Sequence, residues 1–190
     1  MLTRMLACLW IATAITGLTT IVVAPCDAGE IGKGSVELAL NGAFEHTSIE
    51  EAKLTNVDLG TRLTYSLTNR FAVGGTVGFS HLSTESGLDT TSLGLSADLI
   101  VNATTSSSVI PFIQISLGMT TWSGTAYRDA ELSATLPFVG AGLRTLMGDH
   151  ASVNLLAGYR YQKNAFGIKD VNAHDIVVSF GVSVFPSGIQ

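Results

Sequence analysis

Charge is what this sequence has least of. Only 13% of its 190 residues are Asp, Glu, Lys or Arg, about half of the roughly 25% usual in soluble domains. Acids outnumber bases, 15 to 10, which excludes nucleic-acid binding by phosphate neutralisation. Cysteine is confined to Cys8 and Cys26, so nothing after residue 26 supports a disulfide framework. Phosphate cradles are missing as well: no GxGxxG or Walker sequence stands between a strand and a helix, and no cofactor is expected. Beyond about residue 25, no run approaches the roughly 18 apolar residues of a spanning helix. Yet 46% of the residues are hydrophobic and the mean hydropathy is +0.40, too apolar for disorder. The length suits one domain, and its hydrophobicity must be distributed in some form other than a helix.

The beginning accounts for part of it. Met1 to Arg4 is a short basic start, Met5 to Ala24 is apolar, and Cys26-Asp27-Ala28 sets small residues at −3 and −1 before Gly29. This pattern predicts a secretory signal, residues 1–28, removed after Ala28. Pro25 in front of Cys26 argues against a lipoprotein site. Cleavage leaves residues 29–190 as one domain without cysteine, its net charge still −5 because Arg4 and Asp27 leave together.

After Gly34 the chain alternates with period two, the period of strands. Val36, Leu38, Leu40 and Phe44 oppose Glu37, Ala39, Asn41, Ala43 and Glu45; Val57, Leu59, Leu63 and Tyr65 oppose Asp58, Gly60, Arg62 and Thr64. Phe71, Val73, Val77 and Phe79 begin a third run and Leu93, Leu95, Leu99 and Val101 a fourth. Ile113, Ile115, Leu117 and Met119 make a fifth, and Val139, Ala141 and Leu143 a sixth that is less regular near Pro137. Val153, Leu155, Tyr159 and Tyr161 form the seventh and Ile176, Val178, Phe180, Val182 and Val184 the eighth. Short turns near 68–70, 103–107 and 148–150 alternate with long polar loops near 46–53, 83–91, 123–131 and 163–174. That rhythm predicts an all-β fold, an eight-stranded antiparallel up-and-down transmembrane β-barrel.

Either face of such a barrel could point inward, and bulk distinguishes them. Gly, Ala, Ser and Thr crowd the polar face, fitting the narrow interior of an eight-strand closure, whereas the large residues all lie on the other. A charge facing lipid at mid-membrane costs about 2–4 kcal/mol, while one facing the lumen can be paired. Glu37, Glu45, Asp58, Arg62, Asp98, Arg144 and Arg160 all share the parity of the small residues. They are expected to form a lumen ion-pair network, with Glu37, Arg62, Asp98 and Arg144 at one depth. Tyr65 and Phe71 near the tight turns, and Phe44, Phe79, Trp122 and Tyr161 near the long loops, predict two interfacial girdles. Tight turns belong on the periplasmic side.

The hairpin series, Pro111-Phe112-Ile113, Gly140-Ala141-Gly142-Leu143-Arg144, Gly158-Tyr159-Arg160-Tyr161 and Phe180-Gly181-Val182-Ser183-Val184-Phe185 resemble the small outer-membrane barrels of the OmpA, OmpX and opacity-protein kind. The resemblance spans residues 34 to 185 and implies a bacterial outer-membrane location with lipid and lipopolysaccharide as surroundings. One departure is visible. Such chains commonly end on a Phe in phase with the lipid-facing series, whereas Phe185 is out of phase and Pro186 to Gln190 follow it.

The expected role is structural or surface-interactive, carried by a monomer with a largely filled lumen. Outer loops of the Glu50, Arg128 and Asp170 kind would meet host or surface ligands. Glu50, Glu51, Glu85, Asp89, Asp129, Asp170 and Asp175 make those loops acidic, able to repel anions or hold divalent cations that bridge lipopolysaccharide. Two alternatives remain: a narrow channel for small solutes, and a lipid A-modifying enzyme. The latter rests on His81-Leu82-Ser83, which resembles the His-x-Ser of lipid A deacylase barrels, although that family's late-strand position reads Arg160-Tyr161-Gln162 here. His46, His81 and His174 near the outer rim are separated by strands, so no metal site is assigned. The Asn102-Ala103-Thr104 sequon sits in a periplasmic turn and carries no weight.

Overall fold

The computed structural model describes residues 30–49, 52–83, 89–105, 107–124, 133–165, 169–186 and 189. The expected signal segment, and Glu50, Glu51, Glu85, Arg128 and Asp129 of the outer loops, lie outside them.

Eight strands follow one another: β1 (Val36–Ile49), β2 (Ala52–Ser66), β3 (Phe71–Ser83), β4 (Asp89–Asn102), β5 (Val109–Gly124), β6 (Ser133–Met147), β7 (Ala151–Lys163) and β8 (Asn172–Val184). Each pairs antiparallel with its sequence neighbours, and β8 returns to β1 to close the barrel. Closure leaves no edge strand, so backbone groups in the middle of the ladder pair between strands without needing water. The strands are 13 to 16 residues long, longer than the 9–11 that cross hydrocarbon.

The extra length corrects the loop boundaries. Residues read as loop from the polar run 46–53 belong mostly to β1 and β2, in register as far as Ile49 opposite Ala52. Ser83 still pairs with Asp89, and Thr90 with Gly124. Polar side chains that would be costly in the hydrocarbon are tolerated beyond it, so the ladder continues where the hydrophobic pattern stops.

The alternation falls as expected. Leu40, Val57, Leu59, Leu93, Leu117 and Ile176 are exposed on the outer surface, while Glu37, Arg62, Asp98, Gln114, Arg144 and Asn154 are buried inside. Only β6 breaks step: Leu136 and Pro137 together oppose Leu117, forming a bulge between the Ser116–Phe138 and Gly118–Thr135 pairs. Proline lacks the N–H a continuous ladder would use, and a bulge is one place where a sheet admits it.

The lumen is not uniformly small and polar, contrary to the bulk argument. Ile100, Phe112, Phe138, Leu156 and Val177 all point inward and, with Ala72, form one apolar cluster. Inward glycines make the room. A Cβ at Gly158 would stand 2.6 Å from the Phe138 ring and 2.7 Å from the Cα of Gly140, its partner across the ladder. A Cβ at Gly142 would meet the Phe112 ring at 2.5 Å. Large rings therefore fit because their neighbours have no side chain.

This pairing predicts that Gly158→Ala lowers stability by about 1–3 kcal/mol through overpacking. Adding Phe138→Leu should recover part of the loss. Urea unfolding of the detergent-folded protein measures both; a double variant no more stable than Gly158→Ala would refute the shared-space explanation.

Candidate functional site: the lumen

Above the tight turns the lumen is built in layers. At its base lie Ile31, Ile110, Leu146, Phe185 and Ile189, all nearly inaccessible. Residues 30–35 reach this plug by crossing beneath the barrel: Gly34 N–H donates to Ser66 O, Ser66 N–H to Ser35 O, and Glu30 accepts from Asn69 and Thr105. The C-terminal segment arrives from the other side, with Phe185 N–H donating to His150 O and Ile189 N–H to Asp149 O. Phe185 is out of phase with the lipid-facing series because its ring turns into the lumen, 1% exposed.

The second layer is charged. Glu37 on β1 accepts from two arginines, Arg144 Nη2 at 2.7 Å and Arg62 Nη2 at 3.2 Å, and from Ser183 Oγ at 2.7 Å. Arg144 Nε donates to Asn154 Oδ1 and Arg62 Nη1 to Gln114 Oε1. The guanidinium of Arg144 also lies 5.5 Å from the Phe112 ring centroid and 6.0 Å from that of Phe185, so it joins the plug to the apolar wall above.

Asp98 departs from the expected four-residue cluster. It accepts from Thr76 Oγ1 at 2.6 Å, Ser96 Oγ at 3.2 Å and Gln114 Nε2 at 3.5 Å. Gln114 thus stands between Asp98 and Arg62. Its chain reaches both, and neutral donors satisfy the carboxylate without an arginine.

Toward the long loops a third group forms. Arg160 Nη2 donates to Glu45 Oε2 at 2.6 Å and its Nε to Asp175 Oδ2 at 2.8 Å; Gln162 Nε2 donates to the same Asp175 oxygen. Asn56 holds Asp58 at 2.8 Å. Asp175 is not a loop acid as expected: it lies in β8 opposite Arg160, fully buried. The loop boundary was set too late by the polar run before it, and the alternation of Ile176, Val178 and Phe180 already assigns residue 175 to the lumen. With it, Glu45, Asp58 and Asp175 stand around Arg160, so carboxyl groups outnumber guanidinium groups toward the outer end of the lumen.

Trp122 is likewise inside and not in the outer girdle. It lines a small space with Glu45, Asp58, Ser80, Arg160 and Gln162, whereas Phe44 and Phe79 do face outward. Between the charged groups remains a cavity of about 200 Å³, bounded by Arg62, Gln114, Phe112, Phe138, Leu156 and Arg160 among others, room for several water molecules.

The histidine candidates do not converge as a set of three: His46 and His174 are diagonal neighbours across β1 and β8, while His81 is on β3. His46, His81 and His174 lie exposed on β1, β3 and β8, and no group of three metal-binding side chains occurs among the described residues. His81 faces the lipid side opposite Thr91; the side chains of Leu82 and Ser83 lie outside the described ones.

A closed antiparallel eight-strand ladder with its large apolar residues outside and its charges inside has the fold of the small outer-membrane barrels. Among solved structures, the chain is similar to Neisserial surface protein A (NspA), with a TM-score of 0.63 at 17% identity over 80% of this chain and 99% of that one. It is also similar to the outer membrane enzyme PagL, with a TM-score of 0.51 at 16% identity over 75% and 97% of the two chains. No protein-family model and no curated protein matches the sequence.

Proposed function

We propose that this chain is exported with residues 1–28 removed and inserts as a monomer in the bacterial outer membrane. There it acts as a plugged barrel whose outer loops contact lipopolysaccharide and surface ligands. The supporting observation is the base of the lumen. Ile31, Ile110, Leu146, Phe185 and Ile189 fill it, and the Arg144–Glu37–Arg62 layer lies directly above. A solute passing through would have to displace both an apolar plug and a buried ion-pair network, which favours a scaffold over a channel. Glu37, Arg62, Arg144, Arg160, Glu45, Asp58 and Asp98 then serve to hold the barrel closed around itself, while recognition belongs to loops of the Glu50, Arg128 and Asp170 kind.

Folded protein in detergent should migrate differently in gel electrophoresis before and after boiling, and resist protease along its strands. In planar bilayers it should give no conductance steps. Regular steps from the unmodified protein would replace this reading with the channel, and loss of both heat-modifiable migration and protease resistance would remove the membrane barrel altogether.

A further inference from the structure

The lipid-facing surface is apolar at mid-height and turns polar toward the long loops, where His81, Thr91 and Ser123 lie side by side on β3, β4 and β5; the β7–β8 sector there combines phenols with a lysine. On β7 and β8 the outward positions read Tyr159, Tyr161 and Lys163 beside Asn172 and His174, with Tyr161 opposite His174 and Lys163 opposite Asn172. The hydroxyl of Tyr159 is hydrogen-bonded to His174 Nδ1, and the Tyr161 and His174 rings lie 5.3 Å apart. Lys169, in the turn above, is exposed too. Among the described residues the other outward phenol, Tyr65, lies at the opposite end of the barrel. Among the described residues, the outward phenols near the long loops are therefore both on β7.

Each group adds a donor. In the tautomer whose Nδ1 accepts from the phenol O–H, the imidazole proton stands on Nε2, where it can be offered to a ligand. Tyr161 offers a hydroxyl and Lys163 an ammonium, a compact point charge suited to phosphate. Directly below are the exposed side chains of Leu155, Ile176, Val178 and Phe180, a surface for acyl chains. Rings with a polar tip occupy the level where hydrocarbon meets headgroups.

We infer that Lys163, His174, Tyr159 and Tyr161 form a docking surface for the phosphorylated headgroup of an outer-leaflet glycolipid, its chains lying along β7 and β8. This rests on the outer-membrane reading above. It differs from attachment through divalent cations held by acidic loops, since here the protein supplies the positive charge directly.

The test uses the folded full-length protein in detergent, titrated with diphosphoryl lipid A and with the same glycolipid stripped of phosphate, each with and without EDTA. The unmodified protein should prefer the phosphorylated form by about tenfold, the equivalent of one charge-assisted hydrogen bond, with or without EDTA. The Lys163→Ala/His174→Ala variant should lose that preference, and Tyr159→Phe, which only frees the imidazole, should weaken it. The inference is overturned if the unmodified protein shows no preference, if the double variant keeps it in full, or if EDTA abolishes it. Heat-modifiable migration of the same samples reports separately whether the barrel reading itself has failed. Lys163→Ala alone decides the matter should the double variant not fold.

Discussion

Replacing Glu37 with leucine should destabilise the barrel by about 3–5 kcal/mol, the cost of stranding a buried charge when its partner is removed. Here one carboxylate is the ion-pair partner of both Arg62 and Arg144, each almost fully buried, so the loss should lie at the upper end. Ser183 and the two guanidinium groups would all lose an acceptor. Urea unfolding in detergent should show the midpoint falling sharply, with a larger unfolded fraction after refolding. The triple variant Glu37→Leu, Arg62→Met, Arg144→Met separates the causes. Apolar replacement of a whole buried network is often neutral or stabilising, so the triple variant should regain most of the loss. If Glu37→Leu unfolds at the same urea concentration as the unmodified protein, the layer is not what holds this part of the lumen together.

Phe185→Ala should have an effect of similar size. A buried phenylalanine cut to alanine typically costs about 3–5 kcal/mol, through lost burial and the cavity left behind. Phe185 packs with Ile31, Ile110, Leu146 and Ile189 and faces the Arg144 guanidinium, so its removal both hollows the plug and uncovers a charge. The same unfolding assay measures the stability. Bilayer recording adds a second readout, because a hollowed base should admit small ions where the intact plug admits none. A silent, equally stable variant would mean that the base of the lumen is closed by something other than this ring. Phe185→Leu, close in volume, should behave almost as the unmodified protein.

Much of this molecule can be read from spacing alone. Alternation within the strands, broken only by the β6 bulge, defines which residues face lipid and which face the lumen, because the side-chain period of a strand is two and the two solvents differ in polarity. Glu37, Glu45, Asp58, Arg62, Asp98, Arg144 and Arg160 all lie on the lumen side for that reason. Where the pattern is weak, the reading slips. Asp175 and Trp122 both have lumen parity, but they stand beyond the main apolar run, where polar neighbours suggest a loop or a rim. The large inward residues were missed for another reason: a bulk rule applied to one strand at a time cannot see that Phe138 on β6 occupies space left free by Gly158 on β7.

By itself, then, the sequence determined the strand count, the up-and-down order and the facing of each strand, since all three are local properties of alternation and turn spacing. Which arginine meets which acid depended on stagger around the closed barrel, which brings Arg144 to Glu37 across 107 residues of chain and leaves Asp98 to Thr76 and Gln114. The plug depended on closure as well. Ile31 precedes β1 and Phe185 and Ile189 follow β8, outside every alternating run, and they meet only because β1 and β8 are neighbours. Their burial comes from the segments that flank β1 and β8, which lie across the base of the closed barrel against Ile110 and Leu146.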